Sequence, residues 1–213
     1  MLMQQNPARI RAVQVQSWQD LSPHLRRIVF YSPDLADYPF THNGTPFKLL
    51  LPRVGQSTFK LPDHFEGGRP HWLNPQDKPQ ARTYTVRGYD AQACTLTVDF
   101  VLHGDNGPAS AFAERVAVGQ TVGITAPKGS RPMLQAASHY LLVGDLTALP
   151  AIAAMLEQMD EQARGDVLLL VPDAADVPLN LKRPPGLRLH TFVGGAQQYA
   201  AVVAAAERGR PPH

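Results

Sequence analysis

The chain has 213 residues and a formal net charge of +2 at pH 7, with 44% hydrophobic and 18% charged residues. This composition supports a packed core and excludes a disordered chain, and the near-neutral charge excludes a strongly polybasic nucleic-acid-binding protein. The one cysteine, Cys94, cannot form a disulfide within the chain, and it gives no support for a zinc site or a multi-cysteine iron–sulfur centre.

Before residue 138, short runs rich in β-branched and aromatic residues alternate with proline and glycine breaks. They predict six strands in a small antiparallel barrel or sandwich, at residues 9–18, 24–31, 47–51, 82–89, 95–102 and 120–126. The insert 52–80 is predicted as a loop. One helix is predicted in the interval 107–117, with Pro108 in its first turn and Gly119 as its stop.

After residue 138, the pattern changes to strands that alternate with helices, which predicts a parallel sheet. The predicted strands are 139–143, 166–171 and 187–192, and the predicted helices are 147–159 and 196–208. Thr147 is expected to cap the first of these helices, with Pro150 in its first turn. The change in pattern predicts two domains, 1–137 and 138–213.

No targeting or membrane-spanning segment is predicted. The N-terminal residues lack the charged start and the apolar run of a signal peptide. The most apolar stretch, 140–159, contains Gly144, Asp145 and Pro150, which are typical of a strand–turn–helix unit and not of a membrane helix. We therefore expect a cytoplasmic protein without membrane insertion.

The first candidate site is the segment 82–87, with the sequence RTYTVR. On a strand, Arg82 and Tyr84 lie on one face, and Thr83 and Thr85 lie on the other. An arginine beside an aromatic ring can hold a phosphate while the ring stacks on a flat ligand. The spacing alone favours an ordinary barrel strand with charged ends.

The second candidate is the segment 103–110, HGDNGPAS, which joins a strand end to a helix start. Backbone amides and the helix dipole favour an anion at such a junction, and Ser110 would add a hydroxyl donor. A glycine-rich turn followed by a capped helix explains the same residues equally well. His103 alone is more typical of a structural histidine than of a catalyst.

The third candidate is the segment 143–150, VGDLTALP, which follows the first parallel strand. Open α/β sheets bind ligands at the carboxyl ends of their strands. The segment is not a GxGxxG fingerprint, so by itself a tight strand-to-helix turn is the favoured interpretation.

Together, the three segments follow the layout of the ferredoxin–NADP reductase superfamily. Within it, the sequence closely resembles the siderophore-interacting proteins, which are flavin-dependent ferric-siderophore reductases. The resemblance runs from about residue 10 to the end of the chain. It is carried by RTYTVR at 82–87, VDFVLHG at 98–104, GPAS at 107–110, LLVGD at 141–145 and TALPAI at 147–152.

The resemblance implies a six-stranded antiparallel flavin-binding barrel, followed by a shortened parallel α/β domain of the NAD(P)H-binding type. It implies that FAD is held by Arg82, Tyr84 and Thr85, with the tyrosine against the isoalloxazine ring. The adenosine and pyrophosphate part is assigned to Val101, His103, Gly107, Ala109 and Ser110. Asp145, Thr147 and Ala148 are expected near the flavin and the nicotinamide path.

The resemblance also implies basic side chains at the flavin edge, which attract anionic ferric siderophores. Lys48 and Arg131 are the candidates, from their positions on a predicted strand and just beyond the Pro-Lys-Gly segment 127–129. Ordinary surface charges are the alternative for both residues. The class of siderophore is left open.

The implied reaction reduces ferric siderophores with electrons that pass from NAD(P)H through FAD to Fe(III), so that iron leaves as weakly bound Fe(II). Because the flavin supplies the redox chemistry, no general acid or base is predicted. One alternative is a flavoprotein that binds FAD and siderophore without its own nicotinamide site and is reduced by a ferredoxin or another partner. The other alternative is a protein that binds neither flavin nor iron chelates. The choice between NADH and NADPH as the electron donor is left open.

The sequence departs from the family pattern at two places. Leu146 stands where the family usually has an acidic residue in its Gly-Asp-x-Thr-Ala turn. The family also continues past the second α/β helix with another strand and helix, whereas this chain ends at His213. We therefore expect a shortened α/β domain, which bears on NAD(P)H binding and not on the FAD motifs.

Overall fold

A computed structural model of the chain describes residues 9–53, 55–56, 58–104, 107–129, 133–177 and 180–208. Arg131, one of the two predicted substrate-binding cations, lies outside these residues. Within the described ranges, every helix is too short or too polar to cross a membrane.

The described residues of the first part of the chain form nine strands and one α-helix. They are β1 (Arg11–Ser22), β2 (Leu25–Tyr31), β3 (Pro46–Leu51), β4 (His64–Glu66), β5 (Arg69–His71), β6 (Gln80–Thr85), β7 (Gly88–Asp90), β8 (Thr95–Val101), α1 (Pro108–Glu114) and β9 (Thr121–Ile124). Seven of the strands form one antiparallel sheet in the order β6–β3–β9–β1–β2–β8–β7. Its core contains the fully buried side chains of Phe30, Phe47 and Phe100.

The large sheet has seven strands, and the predicted number of six is wrong because the predicted strand 82–89 is divided. Only Val86 and Arg87 separate β6 from β7. The Val86 amide donates to the carbonyl oxygen of Thr45 (3.0 Å), and the Arg87 amide donates to that of Thr97 (2.9 Å). Two residues therefore carry the chain from β6, at one edge of the sheet, to β7, at the other edge. The sheet curls around its core, and we refer to it below as the barrel.

The insert 52–80, predicted as a loop, contains the two-stranded hairpin β4–β5. Phe59 holds the insert against the barrel, since a Cβ added at Gly123 of β9 would lie 2.3 Å from the tip of its ring. The Lys60 ammonium pairs with Asp77 (2.5 Å), and the Trp72 indole donates to the carbonyl oxygen of Lys60 (3.0 Å). Among the described residues of the insert, glycines form the turn between β4 and β5 and Pro75 begins a short helical turn.

The second part of the chain forms a three-stranded parallel sheet, as predicted. Its strands are β10 (Tyr140–Asp145), β11 (Arg164–Val171) and β12 (Gly186–Val193), in the order β10–β11–β12, and its helices are α2 (Leu149–Leu156) and α3 (Tyr199–Arg208). The central strand β11 is buried at every position after Arg164, which explains the continuous apolar run at 167–171. Both helices begin two or three residues later than predicted.

The two sheets share an apolar contact. Leu25 of β2 packs with Leu146, Leu149 and Leu169 of the second part, and Val101 of β8 packs against the same cluster. Leu146, the residue that departs from the family pattern, is only 2% exposed. An apolar side chain at this position therefore joins the barrel to the α/β layer. The division into domains at 137/138 stays a prediction.

Two polar contacts also join the sheets. The Asp176 carboxylate accepts hydrogen bonds from the Ser22 hydroxyl (2.6 Å) and the His24 amide (3.0 Å), and its second oxygen lies 2.7 Å from Nδ1 of His24. Elsewhere in this interface, Arg87 donates two hydrogen bonds to Glu157 (2.6 and 2.9 Å). These contacts fix the position of the α/β layer relative to the barrel.

Candidate functional site

A cavity of about 360 Å³ lies where the barrel meets the beginnings of α1 and α2. Its lining consists of Arg82, Thr83, Tyr84, Thr85, Asp99, Val101, His103, Gly107, Pro108, Ala109, Ser110, Thr147 and Pro150. The structure therefore brings the three segments that the sequence singled out into one site. Of the residues predicted to bind the cofactor, Asp145 and Ala148 are not among the lining residues.

Strand β6 supplies one wall of the cavity. The Tyr84 ring is half-buried, and its centroid lies 4.4 Å from that of Phe100 at an interplanar angle of 37°. Burial raises the pKa of the Tyr84 hydroxyl well above its ordinary value. The wall is a flat aromatic surface held in place by the barrel core.

The rim of the cavity is polar and positively charged. Arg82 and Thr83 are exposed, and the Arg82 guanidinium donates to the carbonyl oxygen of Ala81 (2.9 Å). Lys48 lies opposite Thr83 on β3, and its ammonium donates to the Thr83 hydroxyl (2.6 Å). Lys48 is not itself a lining residue, but its ammonium is hydrogen-bonded to the lining residue Thr83.

His103 and residues 107–110, at the start of α1, form a second wall. Ser110 is 2% exposed, and its hydroxyl accepts a hydrogen bond from the His103 amide (3.1 Å), which ties the start of the loop to the helix. The amides of Ala109 and Ser110 belong to the first helical turn, where an N–H has no partner four residues earlier in the helix. A Cβ added at Gly107 would meet nothing within 4 Å, so the backbone there is open to a close approach.

The turn before α2 closes the site from the second sheet. Oδ1 of Asp145 accepts hydrogen bonds from the Thr147 amide (2.9 Å), the Thr147 hydroxyl (2.5 Å) and the Ala148 amide (3.2 Å). The prediction that Thr147 caps α2 is therefore wrong, because its hydroxyl is a donor to Asp145 and Ala148 occupies the N-cap position. Asp145 and Ala148 shape the turn, which brings Thr147 and Pro150 to the cavity.

Close packing explains the glycine of the same turn. A Cβ added at Gly144 would lie 2.6 Å from the Cβ of Ala148 and 2.8 Å from the Cδ1 of Ile152. Those distances are far below van der Waals contact, so a larger residue would push α2 away from β10. Gly144 thus sets how near α2, and with it Thr147 and Pro150, lies to the barrel.

Sequence reasoning missed Asp99, a buried carboxylate that lines the cavity. It accepts two hydrogen bonds from Arg27, at 2.7 and 2.8 Å, and this pairing raises the pKa of the arginine. Arg87 lies 3.8 Å from the same carboxylate. The alternation of strand β8 could have found it, since Asp99 shares a face with the predicted Val101.

Family models match both parts of the chain. Residues 14–131 match the siderophore-interacting FAD-binding domain, and residues 137–212 match the siderophore-interacting protein family. The ferric vibriobactin reductase ViuB of Vibrio cholerae is 38% identical over 156 residues, which cover 73% of this chain and 56% of ViuB. The chain thus spans little more than half the length of this curated relative.

Solved structures give the same result for the fold. The siderophore-interacting protein SipS from Aeromonas hydrophila has a TM-score of 0.83 and 45% sequence identity, over 98% of this chain and 77% of SipS. A ferredoxin–NADP⁺ reductase from Neisseria gonorrhoeae has a TM-score of 0.61 at 15% identity, over 96% of this chain and 82% of that one, and supports the fold alone. The fold, the motif-bearing cavity and both family models establish that the chain belongs to the siderophore-interacting protein family.

Proposed function

We propose that this protein is a FAD-dependent reductase of ferric siderophores. The observation that carries the proposal is the single cavity in which Arg82, Tyr84, Ser110 and Thr147 meet, within a chain that matches a FAD-binding family model. The substrate class is supported by the description of ViuB as a ferric vibriobactin reductase.

The residues of the cavity fit FAD. The aromatic wall at Tyr84 suits a flat isoalloxazine ring, because stacked or tilted aromatic pairs are favourable. The Arg82 guanidinium can donate to phosphate oxygens, and the amides of Ala109 and Ser110 add neutral donors next to the open backbone of Gly107. The volume of about 360 Å³ lies within the range of cofactor sites.

We assign to this chain the tasks of holding the cofactor and attracting the substrate. When bound, FAD would supply hydride acceptance and single-electron transfer to a metal ion. Arg82 and Lys48 place two positive charges at and behind the rim, which favours the approach of an anionic ferric complex. Tyr84 and Thr85 orient the ring, and no general acid or base is assigned to the protein.

We further propose NAD(P)H as the electron donor, with the turn at Asp145, Thr147 and Ala148 beside its path. Thr147 supports this role because it lines the cavity from the α/β layer, and Asp145 holds the turn through three hydrogen bonds. A nicotinamide that approached along this layer would therefore meet the flavin cavity on the side of Thr147.

The test is an absorbance spectrum of the protein after incubation with FAD and desalting. Anaerobic NADPH or NADH and then a ferric tris-catecholate complex are added in sequence. We expect retained flavin bands that bleach with the nicotinamide and return with the ferric complex. Flavin bands that bleach with dithionite but not with NADPH or NADH would indicate that the electron donor is a protein partner such as a ferredoxin. Loss of all flavin on desalting would overturn the proposal.

A further inference from the structure

The β4–β5 hairpin places two histidines and a glutamate on one face, away from the cavity described above. His64 lies directly opposite His71 in the hairpin, and Glu66 follows two residues after His64. Alternate residues of a strand share a face, and directly opposed residues of an antiparallel pair do so too. All three side chains are exposed.

The side chains are close enough to hold one ion. The two imidazole rings are stacked with centroids 5.3 Å apart and an interplanar angle of 15°, and Nε2 of His71 lies 3.5 Å from Oε2 of Glu66. One ligand atom from each residue lies within 4.8 Å of the other two. Bonds of about 2.1 Å to a tetrahedral ion bring ligand atoms to roughly 3.4 Å from each other, so small rotations of exposed side chains suffice.

Turn geometry holds the three residues in register. Gly67 and Gly68 have φ angles of 54° and 77°, which fit the two-residue turn that matches the twist of a hairpin. At the base, the Asp63 amide donates to the carbonyl oxygen of His71 (2.9 Å), and the Leu73 amide donates to the Asp63 carboxylate (2.9 Å). The hairpin therefore presents its ligands on a backbone that is fixed at both ends.

The positive charge of Arg69 opposes the binding of a cation at the hairpin. Arg69 lies opposite Glu66 and shares its face of the hairpin. Oε2 of Glu66 lies 3.5 Å from Nε2 of His71, so its carboxylate already points toward the histidines. Removing the Arg69 charge should therefore strengthen metal binding, while removing a ligand should weaken it.

We propose that His64, Glu66 and His71 bind one divalent first-row transition ion. Two imidazole nitrogens and one carboxylate oxygen are the ligand set that suits Zn²⁺, Co²⁺, Ni²⁺ and Fe²⁺. Three protein ligands on an exposed hairpin leave further coordination positions for water or an added ligand. None of the three lines the cavity, so the proposal is independent of the flavin and of the proposed reductase activity.

The experiment titrates the untagged full chain with Zn²⁺ by calorimetry and with Co²⁺ by visible absorption. We expect one saturable ion per chain, with an affinity that falls at least about tenfold in His64→Ala, His71→Ala and Glu66→Gln, since even indirect partners of metal ligands are worth that much. Arg69→Ala should bind more tightly than the unchanged protein. Circular dichroism of each variant shows whether the fold is kept.

The matched control is His190→Ala, which removes a histidine that also lies beside a carboxylate, at 2.7 Å from Asp166, on the second sheet. Its affinity should equal that of the unchanged protein. The proposal is overturned if the unchanged chain takes up no saturable ion. It is also overturned if the three hairpin variants keep full affinity, or if His190→Ala loses as much as they do.

Discussion

The ring of Tyr84 lies between the barrel core and the cavity, with Phe100 behind it. Replacing it by Tyr84→Leu keeps an apolar side chain and removes the aromatic face. We expect up to about a tenfold loss of FAD affinity, because an aromatic pair contributes about 0.5–1.5 kcal/mol beyond its buried area. A fluorescence titration of FAD measures this loss.

The control for this change is Tyr84→Phe, which keeps the ring and removes only the hydroxyl. It should bind FAD nearly as well as the unchanged protein. Equal FAD affinity in the leucine and phenylalanine variants would show that the ring does not stack on the cofactor, and the assignment of Tyr84 would then be wrong.

At the scale of single residues, the sequence predicted those members of the cavity that lie in short contiguous motifs. Arg82, Tyr84 and Ser110 belong to this group, since the family resemblance pointed to them, whereas their local spacing alone fitted ordinary structural roles at least as well. Asp99 was missed because its partner Arg27 lies 72 positions away along the chain. Pairing between strands brings such residues together, and the alternation of β8 indicates only that Asp99 shares a face with Val101.

Among the elements, the turn between β10 and α2 controls how near the second sheet lies to the cavity. Gly144→Ala puts a methyl group 2.6 Å from the Cβ of Ala148, where close-packed elements have no room for it. We expect Gly144→Ala to lower the free energy of unfolding by about 1–3 kcal/mol. It should also weaken FAD binding, since Thr147 and Pro150 would move with the helix. Chemical denaturation and FAD titration measure the two effects.

Gly88→Ala provides the matched glycine. A Cβ there would lie 3.5 Å from Thr97, which is ordinary contact. This variant should keep FAD affinity and lose little stability. If Gly144→Ala behaved in the same way, the close approach of α2 would not be what positions Thr147 at the cavity.

The elements themselves were predictable where one periodicity held over their whole length. The three parallel strands and the order of strand and helix after residue 138 followed from apolar runs. The break at Val86 and Arg87 was not predictable, because both residues suit a strand. Only their backbone partners, Thr45 next to β3 and Thr97 on β8, divide it. The β4–β5 hairpin was hidden for the opposite reason, since the surrounding prolines and glycines predicted an irregular loop.

For the whole molecule, the cavity depends on both sheets. Most of its lining comes from the barrel, but Thr147 and Pro150 come from the α/β layer. The contacts that hold the two sheets together, the Leu146 cluster and the carboxylates of Asp176 and Glu157, are therefore part of the site's architecture. Changes at that interface should alter cofactor binding without touching the lining.

The carboxylate of Asp176 makes the contact between the two sheets sensitive to acid. Its burial alone would raise the pKa of the carboxyl, but hydrogen bonds from Ser22 and His24 outweigh burial and hold the pKa below its usual range. A carboxylate whose pKa is lower in the folded chain stabilises the fold above its unfolded pKa of about 3.9, and this stabilisation is lost as the pH falls through the folded value. The contact between the sheets should therefore weaken in acid.

Asp176→Asn removes the charge and keeps the size of the side chain. We expect a lower unfolding free energy at neutral pH and a shallower fall of that free energy below about pH 4, because the variant has no proton to take up at this position. Denaturant titrations from about pH 6 to about pH 3 measure both. Asp34→Asn, at an aspartate whose side chain is 55% exposed, should keep the steep fall of the unchanged protein. If the unfolding free energy of Asp176→Asn fell with pH as steeply as that of the unchanged protein, the acid sensitivity would arise elsewhere. The contact of Asp176 with Ser22 and His24 would then have no role in it.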